Sequence, residues 1–202
     1  MAAGPRATGW PLNCWNGSGY RPTRSPGTRT SSAAGSGSGS IARSLAARPT
    51  LIVADEPISA LDASAQAQVA NLLLSLAREE GMGMVFISHD LAVVRQIADR
   101  VAVMYLGRIV ETGDTTQVWS QPTHPYTEAL VSAIPRADGA GTLPIDLPGD
   151  VPDPARPPRG CRFHPRCPVA EPRCSSIDPP LNELPDSAGH AVACTVRVPI
   201  PS

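Results

Sequence analysis

The 202-residue sequence contains no lysine; all 17 of its basic residues are arginine. It therefore holds no G-x-x-x-x-G-K-[ST] run, the loop whose backbone N–H groups and lysine grip a nucleotide's phosphates. Acidic residues are missing from the first 40 positions, which also lack valine and isoleucine and hold one leucine. A segment so poor in aliphatic side chains cannot offset its ordering entropy by burial. Residues 1–40 are thus predicted to be disordered, low-complexity chain. No apolar run approaches the ~18–20 residues that span a bilayer, and no apolar leader core stands in the first 40 positions. A net charge of −1 gives no electrostatic reason to expect nucleic acid as a partner. These absences predict a cytoplasmic protein, docked on a membrane partner rather than inserted.

What is present begins near Ile41. Residues 41–47 read as the end of a helix closed by Arg48-Pro49, and Thr50–Ala54 as a strand buried on both faces. A helical pattern runs from about Asp62 to Glu80, with Val69, Leu72, Leu73 and Leu76 as its apolar stripe, and Gly81 and Gly83 stop it. Met84–Ile87 is a second apolar strand, Leu91–Ala98 a helix, Val101–Tyr105 a third strand, and Arg108–Glu111 its hairpin return. Short helices are predicted at Thr115–Ser120 and Pro125–Ile134. Strand–helix–strand–helix–strand order predicts an α/β domain with a parallel sheet. From Pro135 the chain turns proline-rich and carries four of its five cysteines, which predicts a loop-rich appendage over 135–202 that needs a staple.

The chemistry gathers at strand ends. LIVADEP at 51–57 closes an apolar run with Asp55 and Glu56. Two carboxylates at a buried strand end are costly unless a cation or hydrogen bonds compensate them. That pattern suits an aspartate that holds Mg²⁺ and a glutamate that polarises an attacking water. Ser59-Ala60-Leu61-Asp62 follows at once, and the next strand ends in Ser88-His89-Asp90, 33 residues after Glu56. An imidazole there can reach a γ-phosphate oxygen on the same edge of the sheet.

With these residues in view, IARSLAARPTLIVADEPISALD resembles the Walker-B and D-loop segment of ABC-transporter ATP-binding subunits, and FISHDLAVV their H-loop. YLGRIVETG followed by PTHPYTEALVSAIP is similar to the oligopeptide/dipeptide group. The resemblance runs from 41 to about 197 and implies a partial P-loop NTPase fold over 41–134. It implies that Asp55 coordinates Mg²⁺ through water, that Glu56 is the catalytic base, and that His89 contacts the γ-phosphate of ATP. It also implies that Ser59–Asp62, with Ser59 and Asp62 beside the nucleotide, communicates across a pair of such subunits. The implied partners are a second ATP-binding subunit, membrane permease subunits and an extracytoplasmic peptide-binding protein, with the chain peripheral on the inner face of the membrane.

The departures are as specific as the match. The phosphate loop, Q-loop and LSGGQ signature of the family are missing, and SSAAGSGSGS stands where the signature belongs. Read one nucleotide out of frame, codons for Ser32 through Ser40 can spell SGGQRQRI. Those for Gly27–Ser32 can spell YPHEL, and those for Asn13–Gly19 can spell LLERVG. Residues 1–40 are therefore expected to be an out-of-frame translation, with the frame restored near Ser40–Ile41. Such a chain is expected to be inactive alone. The alternative is a non-enzymatic, metal-stapled module that binds an intact partner subunit.

Cys161, Cys167, Cys174 and Cys194 are spaced C-x₅-C-x₆-C-x₁₉-C. In a reducing compartment four thiolates suit Zn²⁺ or an iron–sulfur cluster better than disulfides, although unliganded structural thiols remain open. Arg162, Arg166 and Arg173 beside them are expected to lower the thiol pKa values. GCRFHPRCPVAEPRC and HAVAC look like the extension of the peptide-importer ATPases, and that resemblance favours a 4Fe–4S cluster over zinc. His164 and His190 are candidate alternate ligands, read in preference as outer or exposed groups, and His124 is read as structural.

Overall fold

The structure, a computed structural model, describes residues 30–34, 44–46, 48–58, 62–134, 143–185 and 187–198. Two sheets organise it. The first is parallel, in the order β1 (Thr30–Ala34), β2 (Leu51–Asp55) and β3 (Gly83–Ile87). Its two later strands fall where the apolar runs put them, because LIVA and MVFI offer aliphatic side chains to both faces of a parallel sheet. β1 corrects the expectation of an unstructured first segment: Thr30–Ala34 pairs with β2, Thr30 opposite Leu51 and Ala34 opposite Asp55. The other residues of 1–40 lie outside the described set.

Helix α1 (Ala63–Glu79) joins β2 to β3. Asp62 caps it, its carboxylate accepting the Ala65 N–H at 2.8 Å. The buried stripe is Ala70, Leu73 and Ala77, whereas Leu72 is 56 % exposed. The predicted stripe was right at Leu73 and wrong at Leu72, which stands a further 100° round the helix. Helix α2 (Leu91–Ile97) follows β3 and buries Val94 and Ile97.

β4 (Arg100–Tyr105) departs from the alternating reading. It does not join the parallel sheet but pairs antiparallel with β5 (Arg108–Asp114). The turn at Leu106-Gly107 uses positive φ at both residues, +44° and +76°. β5 then pairs antiparallel with β7 (Ser187–Val192), and β7 with β6 (Asn182–Leu184), giving the order β4-β5-β7-β6. The proline-rich extension is therefore stitched into the sheet that β4 and β5 begin. Helices α3 (Thr115–Ser120) and α4 (Pro125–Ser132) lie between β5 and the extension in sequence.

A shared core fills the join. Val103, Tyr105, Val110 and Phe163 are buried together, with Tyr126, Leu130, Leu147, Cys161 and Cys167 packed against them. The Tyr105 ring meets Tyr126 at 4.8 Å and Phe163 at 5.1 Å, both edge-on, the arrangement that ring quadrupoles favour. Phe163, from the extension, is 1 % exposed, so the extension contributes the centre of this core and not merely its cover.

Candidate functional site

β2 and β3 run parallel, so their carboxyl ends lie side by side. Register pairing sets Asp55 opposite Ile87. The chain leaves β2 by a left-handed residue, Glu56 at φ +43°, whose N–H donates to the Ile87 carbonyl at 2.9 Å. A non-glycine residue in that region is held by its surroundings at a cost of order 1–3 kcal/mol. The turn aims Glu56 across to the end of β3, where its Oε1 lies 2.9 Å from Nδ1 of His89. The imidazole is 75 % exposed and the glutamate 49 %. An ion pair so open to solvent contributes at most about 1 kcal/mol to stability, so folding does not explain its geometry. Asp55 is exposed beside it. The two carboxylates and the imidazole thus share one open edge, which suits an incoming phosphate with its cation.

Asp55, Glu56 and His89 are brought together as the sequence suggests. Asp62 stands one residue before α1 with Oδ1 engaged by the helix N-terminus. Ser59 lies outside the described residues. Sequence reasoning passed over the neighbours of His89: Ser88 Oγ accepts the Asp90 N–H, and Asp90 Oδ1 accepts the N–H groups of Ala92 and Val93. The signal was available as an Asp one residue before a helical run.

The four cysteines are all free thiols. Cys161 donates its N–H to the Cys174 carbonyl at 2.9 Å. Gly160 permits the approach, since its φ is +68° and a Cβ there would stand 2.5 Å from that carbonyl oxygen. Backbone N–H groups turn toward sulfur at each thiol: Phe163 toward Cys161, Val169 toward Cys167, Glu171 toward Cys174 and Arg197 toward Cys194. Burial pushes the Cys161 thiol up to about 11; the Phe163 N–H pulls it down, and the three other cysteines add to the rise. Burial also raises Cys167.

Two expectations change here. Arg162, Arg166 and Arg173 are not among the groups that shift Cys161 or Cys167; the arginine that lowers Cys167 is Arg197. Arg162 donates to the Leu106 carbonyl, Arg166 to those of Pro148 and Gly149, and Arg173 pairs with Glu171. The iron–sulfur or zinc expectation also fails as a placement: among the described residues no three His, Cys, Asp or Glu side chains are arranged to hold a metal ion.

His190 on β7 and His124 ahead of α4 are both buried. His190 is not exposed, and the partner it meets is a glutamate. It is 1 % exposed, and its Nε2 lies 2.7 Å from Oε1 of the fully buried Glu111. His124 is also 1 % exposed and caps α4, its Nδ1 accepting the Tyr126 N–H; burial lowers its pKa to about 4, so it is neutral at pH 7.

Comparison with known proteins gives the same direction. Residues 110–174 match the family described as oligopeptide/dipeptide transporter, C-terminal region. The protein y4tS of Sinorhizobium fredii, whose name places it among peptide ABC transporter ATP-binding proteins, is 57% identical over 160 residues, which is 79% of this chain and 45% of y4tS. The oligopeptide transport ATP-binding protein AppF of Bacillus subtilis is 50% identical over 157 residues, 76% of this chain and 47% of AppF. The dipeptide transport ATP-binding protein DppF of Haemophilus influenzae is 51% identical over 155 residues, 76% of this chain and 47% of DppF. The chain spans about half the length of the curated relatives it matches. In three dimensions it overlaps CbiO1 of Clostridium perfringens, part of the ABC transporter complex CbiONQ, over 41% of this chain and 33% of that one. Identity there is 29% and the TM-score 0.39, a likeness too slight to carry weight.

Proposed function

We propose that this chain, which belongs with the ATP-binding proteins of oligopeptide/dipeptide ABC transporters over the part that matches them, carries the hydrolytic edge of such a subunit and not its phosphate cradle. The observation that carries the reading is the contact of Glu56 with His89 across the ends of β2 and β3, beside Asp55. Glu56 is the general base: its carboxylate stands at the open edge and takes the proton of an attacking water. His89 both orients that carboxylate and presents its second ring nitrogen outward, toward a γ-phosphate. Asp55 is the group that would hold Mg²⁺ through water. Bound there, the cation would neutralise charge on the phosphate oxygens.

In an intact subunit this edge serves ATP-driven peptide import. Its partners are a second ATP-binding subunit met through the Ser59–Asp62 segment, a membrane permease pair, and an extracytoplasmic peptide-binding protein. The protein then works from the cytoplasmic face, in keeping with described helices that are too short or too polar to cross a bilayer. Residues 1–40, on this reading, translate the signature-bearing segment out of frame, which the nucleotide sequence decides.

The chain alone is expected not to turn over. Nothing in it supplies a phosphate loop, and it has no lysine at all. The purified 202-residue protein, given Mg²⁺ and ATP, should release no phosphate above a protein-free control. Steady release that Glu56→Gln abolishes would sink the reading.

A second reading concerns the thiols. The charges of the neighbouring cysteines make Cys161 and Cys167 harder to ionise, and each of the four sulfurs faces a backbone N–H. N–H donors aimed at sulfur suit thiolates, and four thiolates need a cation. On this reading Cys161, Cys167, Cys174 and Cys194 would hold a 4Fe–4S cluster, or Zn²⁺, only after leaving the arrangement described above, which brings no three such ligands together. Protein purified without oxygen should then be brown and lose its colour, and part of its stability, on chelation. A colourless, metal-free preparation of unchanged stability contradicts it.

A further inference from the structure

The His89 ring is poorly held by packing. It is three-quarters exposed and sits on the short link between β3 and α2. Its ring position is set by Glu56 on one side and by its own backbone on the other. That backbone is clamped on the far side of His89. Asp90 takes extended dihedrals, φ −84° and ψ 97°, and its Oδ1 accepts the N–H groups of Ala92 at 2.9 Å and Val93 at 3.2 Å. Its carbonyl accepts the Val94 N–H at 3.1 Å, the first hydrogen bond of α2. Its own N–H donates to Ser88 Oγ at 3.0 Å. Asp90, the residue after His89, is therefore fixed by four hydrogen bonds, two of them to one of its carboxylate oxygens and one from the N–H of the peptide that joins it to His89.

We infer that Asp90 is a positioning residue for His89: by capping α2 its carboxylate fixes the link on which the imidazole stands and so holds Nδ1 against Glu56. The inference rests on the Glu56–His89 reading of the site. Asp90 itself acts through the backbone and touches no reacting group. An ordinary helix cap would stabilise α2 and leave the His89 ring indifferent. The two roles separate because the ring's exposure leaves backbone placement, rather than side-chain packing, to decide where it points.

The test reads the ring directly. In ¹⁵N-labelled 202-residue protein, the His89 imidazole signals, assigned by loss in His89→Gln, should show one tautomer with Nδ1 hydrogen-bonded. Glu56→Ala should convert them to the averaged pattern of a free imidazole. Asp90→Ala should do the same, whereas Asp90→Asn, which keeps a capping oxygen, should retain the wild-type pattern. Asp90→Gly, which helix starts tolerate well, is read beside Asp90→Ala so that loss of α2 is not mistaken for loss of alignment. Signals of β4 and β5 serve as the folding control. If Glu56→Ala shifts the ring but Asp90→Ala and Asp90→Gly leave it unchanged, the positioning role is overturned and the site reading stands. If Glu56→Ala leaves the ring unchanged, the site reading falls and the positioning role with it.

Discussion

Replacing Glu111 by alanine should lower the unfolding free energy by about 3–5 kcal/mol, because the buried carboxylate is the acceptor for three donors, at roughly 1–3 kcal/mol for each that is left buried and unsatisfied. The side chain is fully buried. Its Oε1 accepts from His190 Nε2 at 2.7 Å and from the Thr123 N–H at 2.9 Å, and its Oε2 from the His124 N–H at 2.8 Å. Alanine would strand the buried His190 nitrogen and His124 N–H, each an unsatisfied donor costing roughly 1–3 kcal/mol, and the half-buried Thr123 N–H, which costs less. The three donors come from β7 and from the link ahead of α4, so one carboxylate pins the extension and α4 to β5. Urea denaturation should show the midpoint fall, and Glu111→Gln, which keeps an acceptor oxygen, should fall less. Paired with His190→Ala, the double variant should lose far less than the sum of the singles. A loss below about 1 kcal/mol for Glu111→Ala would mean that these contacts do not hold the extension in place.

Much of the first sheet was legible because its strands are apolar runs that end in charge. LIVA before Asp55 and MVFI before Ser88 announce both the strand and the edge on which its chemistry stands. Two parallel strands put those edges together without further information, which is why the sequence alone groups Asp55, Glu56 and His89. Of the second sheet the β4–β5 hairpin was legible, at Val101–Tyr105 and Arg108–Glu111, whereas β6 and β7 were not. β7 reads as Ser-Ala-Gly-His-Ala-Val, a glycine-broken stretch with no strong strand preference, and it becomes a strand because β5 offers it an open edge.

Glu111 hid for the same reason. On a short hairpin a glutamate reads as solvent-facing, and its partner is 79 residues away. His190 was misplaced accordingly, judged by its nearness in sequence to Cys194 rather than by the strand it sits on. The arginines beside the cysteines misled in the opposite way. Sequence proximity suggested charge on the thiols, but these guanidinium groups reach backbone carbonyls and a glutamate, and burial is the largest influence on Cys161 and Cys167.

The largest functional effect is expected at Glu56. As the general base it should account for about 10²–10⁴ in rate, roughly 3–5 kcal/mol of barrier. Glu56→Gln keeps the size and the hydrogen-bonding reach toward His89 but cannot take a proton. Binding of ATP should therefore survive the change while turnover does not, a loss in kcat rather than in KM. Because the chain by itself lacks the phosphate loop, the effect must be read where one is supplied.

The most direct measurement is steady-state ATP hydrolysis by a chimera in which residues 41–202 of this chain replace the matching part of Bacillus subtilis AppF, with and without Glu56→Gln. The account predicts that the chimera hydrolyses ATP and that the glutamine variant binds ATP equally well but is slower by about 10²–10⁴-fold. Hydrolysis that continues at the same rate in the Glu56→Gln chimera would contradict it.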